Sequence, residues 1–108
     1  MVGIDAFSSL DIRIGRITGV EDHEGVRKPM YRLTVFLGEE IGNRTIIAGI
    51  KRGYTKEELI NKKIACIVNL DTKVIAGIES QGMLLAAGDE EISLLVPDRD
   101  MREGARVR

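Results

Sequence analysis

Along this chain, short runs of β-branched and aliphatic residues are cut off again and again by glycine or by clusters of charge. Such a pattern predicts an all-β barrel or sandwich. Residues 5–10 read as a helical turn leading in. From Asp11 the positions alternate, with Ile12 and Ile14 on one face and Asp11, Arg13 and Gly15 on the other. Ile17 then breaks parity. One extra residue near Gly15-Arg16 would restore the register, so a bulge is expected there. Residues 22–28 form a polar loop, and Pro29 marks the entry of a second strand. In that strand Tyr31, Leu33, Val35 and Leu37 alternate with Arg32, Thr34 and Phe36. Gly42-Asn43 signals a hairpin, from which residues 44–50 return as a third strand.

The next segment changes period. Thr55-Lys56-Glu57-Glu58 is a capping box, in which the Thr hydroxyl takes the third amide of a helix and Glu58 reaches back. Leu59 and Ile60 give it one or two turns. Residues 63–70 and 83–87 are the fourth and fifth strands, and residues 92–96 and 105–107 are short C-terminal strands. The order β-β-β-α-β-β is that of an OB-fold, a five-stranded, partly open Greek-key barrel with a short helix between strands 3 and 4. The tail from Gly88 lies outside a minimal barrel and is expected either to wrap it or to make a subunit contact.

A chain of 108 residues is expected to form one domain, with little core to spare for a deep enclosed site. The formal net charge is −1, which argues against binding nucleic acid through bulk charge. The middle of the chain is slightly basic and the C-terminal third acidic, which permits a local basic face. The single cysteine, Cys66, lies in an apolar strand and reads as a packing residue. Together with the absence of a recognisable leader, it suggests the cytosol. The longest apolar runs are far too short for a membrane span.

Enzyme signatures are weak. His23, the single histidine, sits between two acids in a polar loop and reads as a solvated residue. No serine has an elbow motif around it. One Cys and one His cannot make a closed zinc site. Gly77 to Gly82 has the outer spacing of a phosphate loop, but Met83-Leu84 follows where Lys and Ser/Thr are needed. No cofactor is implied. Binding residues are better supplied, with Arg13, Arg27, Lys28, Arg32, Arg44, Lys51, Arg52, Lys62, Lys63 and Lys73 placed to position phosphates. Asn69, Ser80 and Gln81 offer neutral donors and acceptors suited to sugars or base edges. Tyr31 and Tyr54 are the candidates for stacking, a poor platform without tryptophan.

The motifs Phe7-x-x-Leu10-Asp11-Ile12-Arg13-Ile14-Gly15-Arg16-Ile17, Leu33-Thr34-Val35-x-Leu37-Gly38, Ala48-Gly49-Ile50, Asn69-Leu70 and Gly77-Ile78-Glu79-Ser80-Gln81-Gly82-Met83-Leu84-Leu85-Ala86-Ala87 resemble the tRNA-binding domain family. That module is appended to many methionyl-tRNA synthetases and to phenylalanyl-tRNA synthetase β-subunits. Arg27-Lys28-Pro29, Tyr54, Ile75-Ala76-Gly77 and Leu94-Leu95-x-Pro97-Asp98 look most like its CsaA-type members. The resemblance implies an OB-fold, a homodimer using the terminal segments, and structure-specific tRNA binding without catalysis. A methionyl-tRNA synthetase is the implied protein partner. Carried over by position, Arg13, Arg32, Lys51, Arg52, Asn69, Lys73, Ser80, Gln81 and Met83 form the RNA-facing set. Many members have a Lys-Pro-Arg-Lys-like run after the Asn, where this chain has Asp71-Thr72-Lys73-Val74. That exchange implies weaker binding with a flatter salt dependence. The alternative reading, from another class, is an export-related chaperone that binds unfolded peptides in an apolar groove between subunits.

Overall fold

The computed structural model describes all 108 residues. Its elements are α1 (Ile4–Ser8), β1 (Ile12–His23), β2 (Met30–Phe36), α2 (Gly38–Ile41), β3 (Asn43–Ala48), α3 (Lys56–Leu59), β4 (Lys63–Ile67), β5 (Lys73–Ile75), β6 (Ile78–Ser80), β7 (Met83–Leu84), β8 (Ala86–Ala87) and β9 (Ser93–Leu94). Five strands make one strongly curled antiparallel sheet in the order β3-β2-β1-β4-β7, a half-barrel of OB type. β5 pairs with β6, and β8 with β9, as two small accessory ribbons.

β1 turns the corner of the barrel. Its first part, residues 12–16, pairs with β4, and residues 16–23 pair with β2. The expected bulge is present but not at Gly15-Arg16. The register with β2 slips between Ile17 and Gly19, which leaves Thr18 as the extra residue. The parity break has a different cause: both faces of β1 are covered. Ile12 and Ile14 pack with Ala65 and Ile67 in a small outer cluster, while Ile17 joins the main core with Leu33, Val35, Leu37, Ile46, Leu59 and Ile64. Each such aliphatic side chain contributes about 1.5–3 kcal/mol when fully buried. Gly15 faces the same interior, and a Cβ on it would lie 2.6 Å from Val35 Cγ1 and 2.8 Å from Leu37 Cδ2. The glycine is there for close approach.

The capping box forms as expected. Thr55 Oγ1 accepts from the Glu58 amide at 3.2 Å and Glu58 Oε1 accepts from the Thr55 amide at 2.8 Å, starting the single turn of α3. The β2–β3 connection is longer than a tight hairpin: Phe36 pairs with Asn43, and the helical turn α2 fills the gap. β4 stops at Ile67, short of the expected residue 70, and the fifth strand is split into β7 and β8. The tail wraps the barrel. The Ala65 amide donates to Leu95 O, and residues 104–107 exchange three backbone hydrogen bonds with Ile12 and Ile14, taking the open edge of β1 that β2 leaves free. Only an isolated bridge from Arg13 to Arg106 stands where a last strand was expected. Cys66 is fully buried, and desolvation pushes its thiol up to about 12.

Candidate nucleic-acid interface

The expected loop between the fourth and fifth strands contains a hairpin. β5 and β6 pair through Lys73–Ser80, Val74–Glu79 and Ile75–Ile78, with Ala76 (φ 47°) and Gly77 (φ 82°) as a two-residue turn. Two left-handed residues in succession suit the right-handed twist of a hairpin. Alanine there lacks glycine's freedom and holds the conformation at a cost of about 1–2 kcal/mol. The hairpin tip lies against the β1–β2 loop, since a Cβ on Gly25 would make ordinary contact with Ala76.

His23 anchors this hairpin. It is not the solvated residue its polar neighbours suggest: it is buried, and its Nε2 lies 2.7 Å from Ile75 O. A carbonyl only accepts, so Nε2 carries the proton. The surrounding acids hid a side chain that points inward at the end of β1.

Ser80, Gln81 and Gly82 close the barrel between β3 and β7, which no strand ladder joins. Ser80 Oγ accepts from the Ile47 amide at 2.9 Å. The Gln81 amide donates to Thr45 O at 2.8 Å, and Gln81 Oε1 accepts from the Thr45 amide at 2.9 Å, so one residue supplies both halves of a strand pair. Arg44 Nη1 completes the seam by donating to Val68 O and Gln81 O. Gly82 (φ 151°) passes so close to β4 that a Cβ would sit 2.8 Å from Ile67 O. The motif that looked most like a binding loop is the clasp of the fold.

Other members of the expected RNA-facing set are likewise engaged within the chain. Asn69 Oδ1 accepts from the Asp11 amide and its Nδ2 donates to Ser9 O, both at 2.8 Å. Arg13 pairs with Asp11 at 2.6 Å and donates to Gly104 O, and its hydrogen bond holds the Asp11 carboxyl below the usual range. Arg32 pairs with Glu21. Lys51 lies 2.8 Å from Asp22, which Lys56 also contacts, and their hydrogen bonds lower the Asp22 carboxyl. Arg52, Lys73 and Met83 are exposed and unpaired. So are Arg27 and Lys28 in the β1–β2 loop beside the hairpin.

The tyrosines are no stacking platform. Tyr31 is buried with its hydroxyl donating to Tyr54 O, and the Tyr54 hydroxyl accepts from the Leu94 amide. Instead, a recess of about 230 Å³ opens between β3 and the hairpin, bordered by Ile47, Leu70, Asp71, Lys73, Ile75 and Met83. The sequence pattern does not mark Leu70 and Ile75 as site residues, because only the folded hairpin brings them to the same recess as Ile47. The arrangement offers an apolar floor, a rim with one charge of each sign, and free cations on two adjoining loops. It is suited to holding an extended polyanion.

The methionine–tRNA ligase of Pyrococcus furiosus is 47% identical over 108 residues, covering 99% of this chain and 14% of that protein. The corresponding ligase of Methanoculleus marisnigri is 44% identical, covering all of this chain and 16% of that one. This chain therefore spans only a small part of these relatives. Among solved structures, the CsaA chaperone protein from Picrophilus torridus superposes with a TM-score of 0.95 at 38% identity, over 100% of both chains. A methionyl-tRNA synthetase related protein from Pyrococcus horikoshii gives 0.89 at 33%, over 100% of this chain and 98% of that one. Residues 12–106 match the family described as "Putative tRNA binding domain", and the chain belongs to that tRNA-binding domain family.

Proposed function

We propose that the protein binds tRNA without catalysis, as a homodimer, either free-standing or as an accessory to methionyl-tRNA synthetase. The observation that carries this reading is the set of unpaired cations at one end of the barrel. Arg27 and Lys28 on the β1–β2 loop and Lys73 on the hairpin have no acid partner, whereas Arg13, Arg16, Arg32, Lys51 and Lys56 are each matched to an acid. In an OB-fold these two loops border the ligand face. Family membership and the methionine–tRNA ligase relatives supply the ligand class. With few free cations the affinity is modest and its salt dependence shallow, and recognition rests on shape and backbone. Filter binding at low salt tests it: tRNA is retained in preference to DNA of equal length, and Lys73→Ala lowers the salt slope by about 1. Equal retention of both nucleic acids would sink the reading.

The dimer is supported by apolar side chains that the single chain leaves uncovered. α1 has no buried residue, and Ile4, Phe7, Leu95, Val96 and Met101 are exposed. Sedimentation should give twice the chain mass, and Phe7→Glu should shift it towards one chain. The same exposed residues support a second reading drawn from the CsaA structures, a chaperone for unfolded peptides. Suppression of aggregation that persists under saturating tRNA would favour it.

A further inference from the structure

We infer that the recess beside the β5–β6 hairpin holds one unstacked guanine base of the bound RNA, with the Asp71 carboxylate accepting from the base edge. The inference rests on the RNA-binding reading above and names what that face selects.

The recess fits a single ring system. At about 230 Å³ it is smaller than the roughly 300–1,000 Å³ of whole-ligand pockets. Ile47, Leu70, Ile75 and Met83 give it an apolar surface, suited to a base taken out of its stack. Its hairpin wall is fixed before any ligand arrives by the His23–Ile75 hydrogen bond.

The rim carries the selectivity. Asp71 is exposed and has no ion pair, although Lys73 stands two residues away on the same border. An isolated carboxylate on a surface that meets phosphates repels the ligand unless the ligand brings donors to it. Its two oxygens accept side by side. Guanine presents two adjacent donors, the ring N1–H and the 2-amino group. Adenine and cytosine set one amino group beside a ring acceptor, which a carboxylate repels, and uracil offers a single N–H between carbonyls. Lys73 is placed for the flanking phosphate.

The test uses RNA hairpins with one stem and a loop carrying a single guanine, inosine, adenine, cytosine or uracil, with the Met83 methyl observed by NMR. The guanine loop is expected to shift that methyl saturably and to bind about ten-fold tighter than the adenine, cytosine or uracil loops, with inosine between them. Asp71→Asn should bring all five within about two-fold. A Met83 methyl that stays silent while tRNA binds would overturn the recess and leave the RNA reading standing. A response to the guanine hairpin without binding of tRNA would keep the recess and remove tRNA as the ligand. Asp71→Asn tightening every loop equally would show a carboxylate that merely repels RNA. A response to an unfolded peptide and to no RNA would make the recess a peptide site; both results overturn the inference.

Discussion

Ser80→Ala separates the clasp from the binding surface. The Ser80 hydroxyl is buried and is the acceptor for the Ile47 amide at 2.9 Å. Alanine removes that acceptor and leaves a buried N–H with no partner, which costs about 1–3 kcal/mol. Against a total stability of about 5–15 kcal/mol for a domain of this size, the loss is large. Taking about 2 kcal/mol, the midpoint of thermal unfolding should fall by roughly 8–16 °C. Urea unfolding should show a lower midpoint at unchanged slope, since no surface is exposed in the folded state. The Ile47 amide should exchange faster with solvent. Well below the midpoint, tRNA affinity should change by less than about two-fold, while Lys73→Ala gives the reverse pattern of weaker binding at unchanged stability. A Ser80→Ala protein that keeps its stability within about 0.5 kcal/mol yet loses RNA ten-fold would refute the clasp, because removal of a buried acceptor would then have cost nothing.

Three further outcomes follow from individual contacts. Ala76→Asn should stabilise the protein by about 0.5–1 kcal/mol in chemical unfolding, because asparagine adopts the left-handed conformation of this turn more readily than alanine. Gly15→Ala should destabilise it by about 1–3 kcal/mol, since the new methyl falls within 2.6 Å of Val35 Cγ1 in a packed interior. The Arg13 hydrogen bond holds the Asp11 carboxyl below its usual range, so the unfolded chain binds that proton more readily than the folded one. The pair's stabilisation is therefore complete above about pH 4 and is lost as pH falls through the lowered folded value; Asp11→Asn should flatten that acid limb in unfolding midpoints taken from pH 7 down to pH 2.

The elements that sequence pattern located well are those whose signal is local. β2 alternates cleanly because one face lies on the core, and the Thr55 capping box is complete within four residues. β1 shows in the sequence as a strand, but the reason for its parity break does not. Its covering comes from two directions, from the barrel interior and from the C-terminal residues 104–107, and a single strand does not record how many layers it will lie between. The β5–β6 hairpin does not show as strands in the sequence, because only Ser80 of its six strand residues is buried and they carry no consistent apolar face. It is fixed by His23, which is fifty-two residues from its partner Ile75.

The candidate site was legible as a segment but not as a set of roles. Asn69, Ser80, Gln81 and Gly82 stand in one short stretch whose residue types suit polar recognition equally well as internal closure. Which of the two applies depends on where Thr45, Ile47 and Asp11 come to lie, and those positions belong to other strands. By itself the sequence determined the five strands of the main sheet, the OB-type order and the kinship with tRNA-binding domains, because alternation, turn chemistry and motif spacing are written residue by residue along the chain. Only the tertiary structure decided which polar groups hold the barrel shut and which cations stay free for a ligand. Hydrogen-bond satisfaction is a property of pairs, and these pairs are made by segments that meet only after folding.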